Sequence, residues 1–168
     1  MKKLLCFILC TLLCIPLSGC NNKSSEVTAV TSGLKFTAHT TYLEENYEYH
    51  ITVTENGEML TEVFDKEKNT ILTAHFSDEN VTLRYSDLEY KTEISALPQG
   101  LIIDFFYSVF CDTATKKDNV LFQNDQYLIS GSTDKYKYKM FLGQTGIPIK
   151  ITEENLSITA VLKNQALL

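Results

Sequence analysis

The chain has 168 residues, a formal charge of −6 and a mean hydropathy of −0.08. That length fits one domain with a real core. An acidic chain with only 7 Gly and 3 Pro is neither a general nucleic-acid binder nor a collagenous or low-complexity protein.

Lys2 and Lys3 make a basic start, and Leu4 to Ile15 form an apolar run. A membrane-spanning helix needs about twenty apolar residues, so this shorter run predicts a secretory signal peptide over residues 1–19. It closes on Leu17-Ser18-Gly19-Cys20, which resembles the lipobox of bacterial lipoproteins. The resemblance implies that Leu17, Ser18 and Gly19 are recognised by the signal peptidase. It also implies that the Cys20 thiolate accepts a diacylglyceryl group. Cleavage before Cys20 frees an amine for a further acyl chain such as palmitate. Each buried CH₂ contributes about 0.8 kcal/mol, so two chains anchor stably. The alternative is an ordinary secreted protein with a chance Cys at its cleavage site. The expected location is the extracytoplasmic face of the cell membrane. Beyond the covalent lipid on Cys20, no cofactor or metal is expected.

Residues 20–33 read as the lipidated Cys and a polar tether, with a reach on the order of 40 Å. Val27 to Val30 could instead dock as a short helical turn or an edge strand. Residues 34–168 form one β domain by their period of two. Leu34, Phe36, Ala38, Thr40 and Tyr42 alternate with wet residues, as do Tyr47, Tyr49, Ile51 and Val53. Val81, Leu83 and Tyr85 continue the pattern. So do Tyr136, Tyr138, Met140 and Leu142, then Ile147, Ile149 and Ile151, and then Leu156 to Leu162. Less regular strands lie near 58–65, 70–76, 119–123 and 126–131. Asn56-Gly57 is a two-residue hairpin signal. Softer turns at 77–80, 123–125 and 143–146 give a spacing that predicts an antiparallel meander.

One segment, residues 98–112, breaks the period. Leu101, Ile102, Phe105, Phe106, Val109 and Phe110 form a wide stripe at helical spacing, after Pro98 as a helix start. Asp104 and Ser108 mark its narrow polar face. The fold class is therefore mainly β, a curved antiparallel sheet or half-open barrel of about ten or eleven strands covered by one mid-chain helix.

Two local features carry a resemblance, Tyr127-Leu128-Ile129-Ser130-Gly131 and Thr145-Gly146-Ile147-Pro148-Ile149-Lys150-Ile151. With the order of the pattern over roughly residues 34–164, the chain resembles the LolA/LolB lipoprotein-carrier superfamily. Small Gram-positive lipoproteins, including spore-germination lipoproteins, are similar. The resemblance implies a non-catalytic scaffold with an apolar cleft. The family's N-terminal helix has no counterpart in the short polar segment 21–33.

Catalytic signals are sparse. His39 and His50 fall on wet strand faces, and neither HxH nor HExxH spacing occurs. Cys111 beside Phe110 reads as a small hydrophobe, and its burial argues for a monomer. Glu44-Glu45 and Glu153-Glu154 read as solubilising turn residues. No GxSxG, GxGxxG or Walker motif is present. Lys135, Lys137 and Lys139 line the strand face opposite Tyr136 and Tyr138. This row solvates the convex side or meets an acidic partner or polymer, and nucleic acid is not expected as a partner.

The remaining feature is aromatic. Phe36, Tyr42, Tyr47, Tyr49, Tyr85, Tyr136 and Tyr138 are assigned to the concave side, with Phe105, Phe106 and Phe110 pressing in from the helix. These residues form either plain core or the wall and lid of a cleft. The leading expectation is a non-enzymatic, membrane-anchored lipoprotein. It would hold an acyl chain, a lipidated protein or an apolar peptide. The alternative is a docking lipoprotein that holds another envelope or cell-wall protein, with its cleft filled as core.

Overall fold

The computed structural model describes residues 27–42 and 45–168, together with the backbone but not the side chains of Tyr42 and Glu45. The expected signal peptide, Leu17, Ser18, Gly19 and the lipidation site Cys20 lie outside the described residues, as does Glu44.

The strands are β1 (Leu34–Tyr42), β2 (Glu45–Val53), β3 (Met59–Phe64), β4 (Thr70–Ser77), β5 (Asn80–Tyr85) and β6 (Leu88–Glu93). A single 3₁₀ turn (Ile94–Ala96) leads to the helix α1 (Ile102–Thr115). Then follow β7 (Leu121–Gln123), β8 (Gln126–Ser132), β9 (Lys137–Leu142), β10 (Pro148–Glu153) and β11 (Thr159–Leu167). All belong to one 11-stranded sheet in the order β6-β5-β4-β3-β2-β1-β11-β10-β9-β8-β7. The sheet is antiparallel, curved and unclosed. The first and last strands pair at its centre, and β6 and β7 are its two edges.

Alternation fixes the faces. Phe36, Ala38, Tyr49, Ile51, Val63, Ala74, Phe76, Tyr138, Met140 and Ala160 are buried on the concave side, under α1. The fully buried Ala38, Thr61, Ala74 and Ala160 are small, which leaves room for the helix's aromatic rings.

Several expectations are corrected. The helix starts at Ile102 rather than 98. Gly100 has φ +93° and Leu101 is extended, so neither continues a helix towards Pro98. Leu88–Glu93, which the periodicity left unassigned, is a strand. Nearly all of its residues are exposed on both faces, although Leu88 and Tyr90 alternate with Glu89 and Lys91. Asn56-Gly57 belongs to a three-residue loop, because Thr54 N–H bonds Glu58 O at 2.9 Å and Gly57 takes φ +85°. The end of the expected tether, residues 27–33, is docked: Ala29 N–H bonds Lys117 O and Val30 N–H bonds Gly146 O, both at 2.9 Å.

Both motif glycines have a packing reason. A Cβ on Gly131 would collide with the Tyr138 ring and the Asp112 carboxylate. Gly146 has φ +80°, and a Cβ there would strike the Thr28 carbonyl. One glycine seats a tyrosine beneath the helix, and the other seats the N-terminal segment.

Candidate functional site

The concave face has two parts. Under α1 it is closed. Phe110 stacks on Phe36 with centroids 5.4 Å apart, Phe106 meets Tyr49 edge-on at 5.7 Å, and Phe105 meets Tyr136 at 5.3 Å. Tyr107 stacks on Phe76 at 4.5 Å. Phe105 and Phe106 are fully buried. Full burial of one such side chain is worth about 1.5–3 kcal/mol. The three helical phenylalanines are therefore core of this closed form.

A polar seam ties the helix to β9. Asp104 is fully buried, and its carboxylate accepts from the Tyr136 hydroxyl at 2.9 Å and Lys135 Nζ at 3.0 Å. One helical stretch further on, Asp112 accepts from the Tyr138 hydroxyl at 2.7 Å, and Thr113 Oγ1 lies 3.0 Å from it. Burial pushes the Tyr136 and Tyr138 phenols well above their usual range, reinforced by these carboxylates. Burial is the main cause that raises Tyr49 to about 12. Lys135 is thus not part of the solvent-facing lysine row; it precedes β9 and turns in to Asp104.

Beyond the helix's N-terminal end the face is open. Tyr47, Tyr49, Val63 and Leu72 form the floor of a groove of about 220 Å³, walled by Gly100, Leu101, Ile102 and Ile103. The register carries the floor outward. Val63 pairs with Leu72, Leu83 with Tyr90, and Tyr85 with Leu88. Tyr85, Leu88 and Tyr90 are 62%, 73% and 63% exposed. The ends of β4, β5 and β6 thus extend the apolar groove into an uncovered wing.

The predicted site residues therefore divide. Phe36, Tyr49, Phe105, Phe106, Phe110, Tyr136 and Tyr138 come together in the closed part. Tyr47 lies in the open groove, and Tyr85 lies apart on the wing. Sequence reasoning missed Val63, Leu72, Leu88, Tyr90 and Ile103 as wall and floor. The signal that could have found the wing is the alternation Leu88-Glu89-Tyr90-Lys91, opposite Tyr85 to Thr82 in a hairpin.

Other candidate chemistry is dispersed. His39 and His50 lie on the convex face as expected, flanking Glu48 at 3.9 and 3.2 Å, and His75 lies 3.7 Å from Glu58. Cys111 is exposed, not buried as expected. The protein around it still raises its thiol above the ordinary value, which leaves it a weak nucleophile at neutral pH. The histidines occupy the opposite side of the sheet from Cys111, so no Cys–His pair forms. Glu153, expected to be a solubilising turn residue, is buried and accepts from the backbone N–H groups of Leu156 and Lys137. Among the described residues, no cluster of three or more His, Cys, Asp or Glu is placed to hold a metal ion. Among them too, no helix is long and apolar enough to cross a membrane.

No protein-family model matches the chain. No curated protein matches it either. A solved structure with a similar layout is that of a LolA superfamily protein from Nitrosomonas europaea. It is 10% identical over 87% of this chain and 90% of that one, with a TM-score of 0.43. A likeness this distant establishes neither family nor activity.

Proposed function

We propose that the chain is a lipid-anchored, extracytoplasmic binding protein with no catalytic role. Its open wing takes an apolar ligand: an acyl chain, a lipidated protein or an apolar peptide. The lipobox-like Leu17-Ser18-Gly19-Cys20 supports the anchor. The observation that carries the binding role is the uncovered apolar floor from Tyr47 to Tyr90 beside the end of the helix. Sites for small ligands run from about 300 to 1,000 Å³, so the groove alone is too small. A ligand must lie along the groove and out over Tyr85, Leu88 and Tyr90. These side chains suit it, since tyrosine offers an apolar body and a wet tip.

Titration of a dansyl-labelled fatty acid into the soluble domain tests this reading. The expected result is blue-shifted emission that saturates, and that is lost in a variant combining Tyr85→Ser, Leu88→Ser and Tyr90→Ser. Equal binding by that variant would contradict it. The second reading, docking of another envelope protein, is favoured by the packed centre under α1 and the shallow form of the groove. Crosslinking in cells from a photoreactive residue at position 88 separates the two, since a single protein adduct supports docking and a lipid adduct supports the ligand.

A further inference from the structure

The convex face holds a feature that apolar binding on the other side does not use. We propose that this face carries a docking stripe for a linear polyanion, a polymer of repeating phosphodiester groups. Lys139 on β9 is opposite Thr152, two residues along β10 from Lys150. Lys150 is opposite Val161, two residues along β11 from Lys163. Lys163 is opposite Thr37, two residues along β1 from Lys35. Because neighbouring strands are antiparallel, every one of these offsets runs in the same direction. Lys35 and Lys139 lie between buried neighbours, Lys163 follows the buried Leu162 and Lys150 precedes the buried Ile151, so all four are placed on the convex face. They form one diagonal row, with about 7–8 Å between successive residues and register irregularities beside Lys150 and between Lys35 and Thr37. Lys137 lies on the same face beside its upper end.

The surrounding charge is segregated. The chain has 15 basic and 21 acidic residues, so a basic field on it is against the average. The convex carboxylates sit on the other half of the sheet, at Glu48, Glu62, Glu89 and Glu93. Next to the stripe, Glu154 pairs with Lys139 at 3.0 Å. That pair is exposed on both sides, and such pairs contribute little, so a phosphate can replace the carboxylate. Lys150 Nζ is held 5.6 Å over the Phe141 ring, which fixes its direction without neutralising it. A row on an outward-curving surface fits a chain lying along it better than a flat membrane, which would touch only its crest. Complementary charge of this kind gives binding that weakens steeply with salt.

The test is fluorescence anisotropy of labelled polyglycerol phosphate, titrated with the soluble domain between about 50 and 200 mM salt. The expected result is binding whose log affinity falls with log salt, with a slope of about −2 to −3 for four phosphate contacts. The variant Lys139→Gln, Lys150→Gln, Lys163→Gln should weaken binding at least tenfold at the lower salt. The control Lys66→Gln, Lys68→Gln, Lys91→Gln, which removes equal charge from the other half, should retain it. Both sets are surface changes, and circular dichroism melts confirm folding. Absence of binding, or equal loss in the control, would overturn the proposal. So would binding to phosphatidylglycerol vesicles with none to the polymer.

Discussion

The two parts of the concave face belong to one sheet and differ in what lies above them. Beneath α1, Phe36, Tyr49, Phe76 and Tyr136 each meet a ring from the helix. Towards one edge of the sheet, on β5 and β6, Tyr85 and Tyr90 remain more than half exposed. A helix from Ile102 to Thr115 spans about 20 Å at 1.5 Å per residue, too short to roof eleven strands spaced about 4.8 Å apart. The aromatic residues of one periodic pattern are therefore divided into core and surface by the helix's length and position, not by their own chemistry.

The largest expected effect breaks the closed part. Phe106→Ala should cost about 3–5 kcal/mol, as for other buried aromatic truncations. Urea unfolding followed by circular dichroism would measure it, and a loss near zero would mean that the helix is not packed as described. Gly131→Ala comes next. It forces Tyr138 off the helix seam, at about 1–3 kcal/mol for overpacking, together with a loss of near-ultraviolet tyrosine signal.

A third prediction concerns pH. Tyr49, Tyr136 and Tyr138 have phenols raised by burial, so the folded state keeps protons that the unfolded chain releases near pH 10. Stability from this source is full below about pH 10 and falls as pH rises towards the folded values. Urea midpoints should hold steady up to that pH and then decline, and a midpoint unchanged at higher pH would contradict the burial of these groups. The smallest effect belongs to the wing. Leu88→Asp with Tyr90→Asp should alter stability by no more than about 0.5 kcal/mol, since both side chains are exposed. A large loss there would show that the wing is core after all.

The division between the two parts also explains what could be read in advance. Where one strand face is buried, the letters alternate, and β1, β2, β5 and β9 were legible from that alone. The wide stripe on residues 101–110 identified the helix, while its start depended on the left-handed Gly100. β6 went unread because neither of its faces is covered and its apolar alternation is only two residues, Leu88 and Tyr90, long. The docking of residues 27–33 depended on a glycine more than a hundred positions away, which no local pattern encodes. For the site, the sequence marked the aromatic set but not which members face a ligand. Tyr47 and Tyr85 are exposed where Tyr49 is buried, and their letters are the same.

The most direct test of the open wing as the binding surface is native mass spectrometry of the soluble domain beginning after Cys20, compared with its denatured mass. The account predicts an excess mass that matches a lipid or apolar peptide in the unaltered domain and disappears in the Leu88→Asp, Tyr90→Asp variant. No excess from any of several expression hosts, or an excess that the variant keeps, would contradict it.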